Sequence, residues 1–368
     1  MDNRKSQVLL LGVVVTVLIA AVLKLLSGFL IPLVIAMLIA FALMPLSSFL
    51  RRRKIPNWIG IVLTLLIVLV TFYLIAFFMY SSINTVIKEF PRYYSRAGVL
   101  TDQLFSWLQT RFNLNVPSIL KDINWLTPVR NMLFSLSGGS LDFLKSLGVV
   151  ILFLIFFLIE SPLFQKTIRK AFPRETSHRL IRVYMHITRE IGRYLSLKLL
   201  ISLATGIFVF GTLFLIGMDF AFIWGVLAFI LNFIPSIGSI IVMAGTILMS
   251  IFQFFPDAGK IFLVAFSMVS IQIILGNFLD PRLSGDRLKL SPLLILLSLF
   301  IWNWIWGIAG MFLAVPLLSV IKIICENIPQ LAPVAVILEN GRGAGISRRQ
   351  KPASPSPSRQ RKQNRPPS

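Results

Sequence analysis

Long apolar runs separated by short polar segments organise the chain. They cover Val8–Leu23, Phe29–Leu50, Trp58–Tyr80, Leu141–Ile159, Leu199–Ile216, Phe220–Phe255, Ile261–Phe278 and Ser291–Ile324. A helix needs about 20 apolar residues to cross the hydrocarbon core of a bilayer. Most of these runs match one crossing. Phe220–Phe255 and Ser291–Ile324 are too long for one straight span. The pattern predicts an all-α, polytopic transmembrane helical bundle.

Both long runs are interrupted near their middles. The first carries Asn232-Phe233-Ile234-Pro235-Ser236-Ile237-Gly238, the second Trp302-Asn303-Trp304-Ile305-Trp306-Gly307. Proline removes a helix donor and disfavours helix in the residue before it. Glycine tolerates the turn that follows. Each long run is therefore expected to form two apolar arms joined by a polar turn, a re-entrant hairpin. Non-helical backbone at membrane depth must rest on protein or line a cavity, because lipid cannot satisfy it.

Basic residues set the expected orientation. Arg51-Arg52-Arg53-Lys54 marks one loop. Glu160–Lys198, with nine Lys/Arg against three Glu, marks a second. Arg282, Arg287 and Lys289 mark a third, and the tail after Glu339 carries eight Lys/Arg and no acid. All four fall inside when the N-terminus is inside and each long run enters and leaves on one side, so both termini are expected in the cytoplasm. Under that arrangement one helix-plus-hairpin unit opens outside and the other inside. Paired interrupted segments in inverted repeats point to the binding site of a transporter.

The expected organisation follows. Residues 1–80 form three transmembrane helices. Val8–Leu23 follows Arg4 and Lys5 like a signal peptide, but it lacks a clear small-residue cleavage site, and it reads as a retained helix. Residues 81–140 form an amphipathic extracytoplasmic segment, with Leu100, Leu104, Leu108 and Phe112 on one helical face. Residues 141–198 form a fourth membrane helix and a basic cytoplasmic linker. Residues 199–325 form a core with two interrupted hairpins. Residues 326–368 form a basic, disordered tail, rich in Ser, Pro and Arg from Gly341 onward.

Composition agrees with a lipid partner. The 368 residues are 56% hydrophobic and only 14% charged, too few charges for a water-exposed surface. The net charge of +22 would suggest nucleic acid in a soluble protein. Here it falls on predicted cytoplasmic loops, and no nucleic-acid module accompanies it. Cys325 is the sole cysteine, so no intramolecular disulfide can form.

Catalytic chemistry is sparse. His178 and His186 sit among Arg179, Arg182 and Arg189 with no third metal ligand in view. There is no phosphate-binding G-x-x-x-x-G-K-[ST] loop and no G-x-S-x-G elbow. Neither an enzyme nor a cofactor is called for. The signal lies in polar residues within apolar surroundings: Asn232, Ser236, Gln272, Asn277, Asp280 and Asn303. Such residues face a cavity or a partner, because burying charge at a helix centre costs roughly 2.5–3.5 kcal/mol on insertion scales. For Asp280 an interfacial pairing with Arg282 is the plainer alternative. For Asn232 and Asn277 it is hydrogen bonding between helices. Asp219, after Gly217-Met218, is expected to cap a helix.

Three ordered motifs stand out: Gly225-Val226-Leu227-Ala228-Phe229-Ile230-Leu231-Asn232-Phe233-Ile234-Pro235-Ser236-Ile237-Gly238, then Gly276-Asn277-Phe278-Leu279-Asp280-Pro281-Arg282-Leu283-Ser284-Gly285 followed by Leu290-Ser291-Pro292, and Gly307-Ile308-Ala309-Gly310-Met311-Phe312-Leu313-Ala314-Val315-Pro316-Leu317. In order and spacing they resemble the AI-2E transporter family. The hydrophobic layout agrees from about Val8 to Leu338, and Arg189-Glu190-Ile191-Gly192 is also family-like. Ser239 stands where the family often has proline, and Ser284 where it often has methionine. The resemblance implies export of a small solute. The family is named for autoinducer-2, a furanone-type signal, and some members are implicated in sodium–proton antiport.

The resulting expectation is a secondary transporter in the cell's inner membrane, a homo-oligomer exporting a small polar solute by alternating access. Asn232, Pro235, Ser236, Gly238, Asn277, Asp280 and Asn303 would form its site. Sodium–proton exchange with Asp280, or else Glu160, as the titrating acid is one alternative. A non-transporting scaffold that recruits partners through its basic loops and tail is the other.

Overall fold

A computed structural model describes residues 3–43, 53, 56–112, 140–280, 282 and 290–338. Its elements are α1 (Asn3–Leu25), α2 (Ser27–Ala42), α3 (Asn57–Phe112), α4 (Ser140–Ala171), α5 (Arg174–Ile216), α6 (Ala221–Leu231), α7 (Ile237–Phe254), α8 (Ala258–Ile271), α9 (Pro292–Asn327) and α10 (Ala332–Leu338). A π-helical segment, Gln272–Leu279, continues α8. The all-α reading holds. The Arg51–Lys54 loop apart from Arg53, the third basic loop apart from Arg282, and the tail from Glu339 onward lie outside the described residues.

Lipid-facing chemistry is visible on the outer surface. Leu215, Phe262 and Phe300 are 85%, 70% and 69% exposed, which water would penalise and hydrocarbon would not. Among the described residues, four helices are long and apolar enough to cross a membrane, or six if two bent pairs each count as one span. One bent pair is α1 with α2, at 84°, so the first two apolar runs do not stand side by side as an antiparallel pair.

α5 is the axis of the molecule. Its 43 residues extend about 64 Å at 1.5 Å per residue. Glu175 sits in its first turn, and Gly217 ends it with φ 81°, a left-handed conformation that costs glycine nothing. Several of the domain limits expected from hydropathy fall inside continuous helices: 80/81 within α3, 198/199 within α5 and 325/326 within α9. A helix does not stop where its surroundings change from lipid to water, so hydropathy marks the boundary of the solvent and not the end of the element.

The first long run doubles back. α6 ends at Leu231 and α7 begins at Ile237. A Cβ at Gly238 would stand 1.7 Å from the Leu231 carbonyl oxygen, and one at Gly245 would stand 2.5 Å from the Trp224 ring. At the open end, Gln253 donates to the Gly217 carbonyl at 3.0 Å and accepts from the Asp219 N–H at 2.9 Å. These contacts face each other about a midpoint between Ile234 and Pro235, as two antiparallel arms require. Glycine at the contact points lets the arms approach more closely than any side chain would allow.

The second long run also reverses, although it is helical throughout apart from one residue. Gly307 adopts φ 62°, ψ −145°, a conformation close to one essentially reserved for glycine. Ser298 donates to the Ala314 carbonyl at 3.2 Å, and a Cβ at Gly310 would stand 1.9 Å from the Trp302 carbonyl oxygen. An unbroken helix would place Ser298 and Ala314 about 24 Å apart. The contacts are centred on Trp306. α9 is therefore a hairpin of two arms, and its overall length does not make it one span.

Candidate functional site

The two hairpins enter from opposite ends of α5. The open end of the first lies at Gly217–Asp219, where α5 stops. There the upper part of α3 clasps it: the Tyr93 hydroxyl donates to the Asp219 carboxylate, and Arg96 donates to the Phe255 carbonyl at 2.7 Å. Asp219 thus latches α3 to the hairpin, and no side-chain cap is formed at the start of α6. Burial first, then the neighbouring Asp219 carboxylate, raises the Tyr93 phenol well above its ordinary value. The open end of the second hairpin lies near the other end of α5, where the Arg179 guanidinium donates to the Asn327 carbonyl.

The turn of the first hairpin packs on the arms of the second, beside the middle of α5. Ile234, in the first turn, packs in one cluster with Leu299 and Ala314 of the second hairpin, flanked by Leu231, Ile237, Trp302 and Met311. Trp306 packs with Leu38, Ile191 and Leu195, and its indole N–H donates to the Leu23 carbonyl at 2.9 Å. The Lys24 ammonium lies 5.0 Å from the centre of the Trp304 ring, a cation–π contact.

The first turn is closed by its own backbone. Ile237 N–H donates to the Pro235 carbonyl at 2.7 Å, Ile234 N–H to Leu231 at 2.9 Å, and Gly238 N–H to Ile234 at 3.3 Å. Ser236 takes φ 62° to make the reversal. Asn232 is 7% exposed, and its amide donates to the Ser202 hydroxyl on α5 at 3.0 Å. That bond ties the tip of the hairpin to the axis.

A charge pair lies one helical turn along α5 from Ser202. The Lys198 ammonium stands 2.7 Å from the Asp280 carboxylate, with Lys198 6% and Asp280 22% exposed at the side chain. Asp280 closes the π-helical segment Gln272–Leu279. Such wide turns are rare and recur at functional sites. The expected pairing of Asp280 with Arg282 does not stand as the main contact: Lys198 holds the carboxylate, and the Arg282 guanidinium lies 3.6 Å from the centre of the Phe278 ring.

The residues expected from sequence divide into two groups. Asn232, Pro235, Ser236 and Gly238 form the first turn, with Asn232 and Gly238 buried and Ser236 exposed. Asp280 lies beside it through α5. Asn277 and Asn303 are both exposed and are not turned into the bundle. In the sequence Lys198 reads only as a basic residue of the cytoplasmic linker. The available signal was a polar stripe at helical spacing, Lys198, Ser202 and Thr205, inside an otherwise apolar stretch of α5. A cavity of about 20 Å³ joins the same face, lined by Thr205, Asn232, Ser239, Gln272 and apolar neighbours.

Residues 13–330 match the sequence model of a protein family described as AI-2E family transporter. The chain belongs to that family. It is 35% identical over 333 residues to a Borreliella burgdorferi protein named "Putative transport protein", covering 89% of each chain. It is 29% identical over 346 residues to the AI-2 transport protein TqsA of Escherichia coli, covering 92% of this chain and 96% of that one. A Haemophilus influenzae protein, also named "Putative transport protein", is 32% identical over 347 residues, with 89% and 95% covered. Family membership and the candidate spans make the chain a multi-pass membrane transport protein.

Proposed function

We propose that this member of the family is a secondary transporter of the inner membrane, with both termini cytoplasmic, that exports a small polar solute by alternating access. The observation that carries the reading is the pair of antiparallel hairpins entering from opposite ends of α5, with the turn of the first packed on the arms of the second. Each hairpin opens to one end only. A solute held between the closed ends could be reached from either side in turn as one unit moves against the other. The relative named for AI-2 transport makes autoinducer-2 the first solute to test.

Flux in proteoliposomes tests this directly. A solute gradient should drive uptake that Asn232→Leu and Asp280→Asn reduce while the protein remains folded. Equal flux in empty vesicles and in vesicles holding the wild type would reject transport of that solute.

Sodium–proton exchange is the second reading, favoured by the Lys198–Asp280 pair in an apolar setting. A carboxylate that can leave its lysine for a proton provides a carrier within the membrane. Sodium-driven pH change that persists unaltered in Asp280→Asn vesicles would remove that role.

A further inference from the structure

One row of side chains on α5 changes character part-way along the helix. His186, Arg193, Leu200, Ile207 and Phe214 lie seven residues apart, so they follow one another along a single face with a drift of only about 20° per step. Arg182 and Arg189 lie on the same face. All seven are exposed, Leu200, Ile207 and Phe214 by 60%, 59% and 66%. The far side of the helix, with Ile181, Thr188, Ile191 and Leu195, is buried in the bundle. The exposed row is therefore basic up to Arg193 and apolar from Leu200 onward, and nothing in the chain covers it.

That change marks the edge of the hydrocarbon. Arg193 stands about 10 Å along the axis from Leu200, and Arg189 about 6 Å beyond Arg193. Side chains on a helix lean toward its N-terminus, which here carries the guanidinium groups away from the apolar part of the row. The polar layer of one leaflet is about 5–8 Å deep, so these two arginines fall at the level of the lipid head groups. α2 marks the same level independently. The Ser196 hydroxyl donates to the Ala42 carbonyl at 2.7 Å, and a Cβ at Gly192 would stand 2.8 Å from the Phe41 carbonyl oxygen. The end of this apolar helix thus reaches α5 beside Arg193, and the basic run Arg51–Lys54 follows it in the sequence. Among the described residues, Arg182, Arg189 and Arg193 make no ion pair and no side-chain hydrogen bond, and Glu190 beside them bridges to none of them.

We propose that Arg189 and Arg193 form a binding site for the head group of an anionic phospholipid, whose acyl chains lie along Leu200, Leu203 and Ile207. Guanidinium groups meet phosphate oxygens in two parallel hydrogen bonds, and two arginines one turn apart suit a phosphodiester. The unbroken passage from arginine to leucine on one exposed face selects a lipid as the source of that phosphate. A free phosphate would gain the charge contact and none of the apolar one. A zwitterionic lipid carries its own cation beside the phosphate and gains less from the arginines. Arg182 lies about 10 Å beyond Arg189, near one Debye length at physiological salt, so it adds attraction without contact. The site is independent of which solute the chain moves, and of whether it moves one.

The test is binding of fluorescent phosphatidylglycerol to the purified full-length chain in a neutral detergent, read by anisotropy at physiological salt. Saturable binding is expected, displaced by unlabelled phosphatidylglycerol and far less by phosphatidylcholine or inorganic phosphate. Arg189→Gln/Arg193→Gln should weaken it by roughly tenfold or more, with a cooperative unfolding transition retained. Arg189→Lys/Arg193→Lys keeps the charge and should recover most of the affinity. Arg182→Gln should weaken binding by less than the double variant. Lys166→Gln/Arg169→Gln removes two exposed charges near the end of α4 and should leave binding unchanged. Four results would overturn the site. They are folded wild type without saturable binding, equal displacement by phosphatidylcholine, equal displacement by inorganic phosphate, and an equal loss in the α4 variant, which would mean attraction by overall charge alone.

Discussion

Lys198 and Ser202 stand one turn apart on the same face of α5, and through them the Asp280 ion pair and the Asn232 turn share one helix. Neither tie depends on the other's atoms, yet both sit where the closed ends of the hairpins converge. Removing one partner of a buried pair leaves an uncompensated charge, at a cost of about 3–5 kcal/mol. Asp280→Leu strands the Lys198 ammonium, whose side chain is only 6% exposed, and should fall in that range. The double variant Lys198→Met/Asp280→Leu should regain much of the loss, since no charge is then stranded. Thermal unfolding in one detergent checks both. A double variant as unstable as the single would place the effect in packing.

Glycines at the hairpin contacts should tolerate nothing larger. Gly238→Ala and Gly310→Ala each drive a methyl into a carbonyl oxygen, at 1.7 Å and 1.9 Å. The arms must separate, which should lower stability by about 1–3 kcal/mol or more. Gly211 on α5 has nothing within 4 Å of its would-be Cβ. Gly211→Ala should therefore be neutral or stabilise by up to about 1 kcal/mol, through helix propensity. Unfolding midpoints of the three variants measured side by side provide the check.

How far the sequence could be read depends on what made each signal. The first hairpin was legible because Asn232, Pro235 and Gly238 are residues that end helices. The second was legible in existence from its excess length, and its turning residue, Gly307, lay at the edge of the suspected stretch. The opposed entry of the hairpins was foreseen from the loop charges. The Lys198–Asp280 pair was not legible. Its members are 82 residues apart, and lysine beside a basic linker reads as a loop residue until the fold turns it inward. Asn303 and Asn277 are exposed: a polar residue in an apolar run can face outward or into the bundle, and hydropathy does not say which it takes.

The reversal at Gly307 can be tested without a flux assay. Cysteines at Ser298 and Ala314, in a Cys325→Ser background, should be joined by a short bifunctional thiol reagent, because the Ser298 hydroxyl lies 3.2 Å from the Ala314 carbonyl oxygen. Peptide mass spectrometry would show the linked pair within one chain. A straight helix would hold these positions about 24 Å apart and give no link.

The clasp at the open end of the first hairpin makes a pH-dependent prediction. Tyr93 donates to Asp219, so the bond needs the neutral phenol. Burial and the carboxylate favour that form in the folded state and raise the phenol above its ordinary value of about 10. Below that value both folded and unfolded tyrosine are neutral, and the bond contributes fully, about 1.5–3 kcal/mol for a hydrogen bond to a charged group. As pH rises past it, the unfolded phenol ionises first, the unfolded state gains, and the contribution falls. Tyr93→Phe has no phenol to titrate. The gap in unfolding midpoint between wild type and Tyr93→Phe should thus be full near neutrality and shrink on the alkaline side. Other titrating groups are common to both proteins and drop out of the difference. A gap that widens with alkalinity would mean that the folded state prefers the phenolate, which a neighbouring carboxylate forbids.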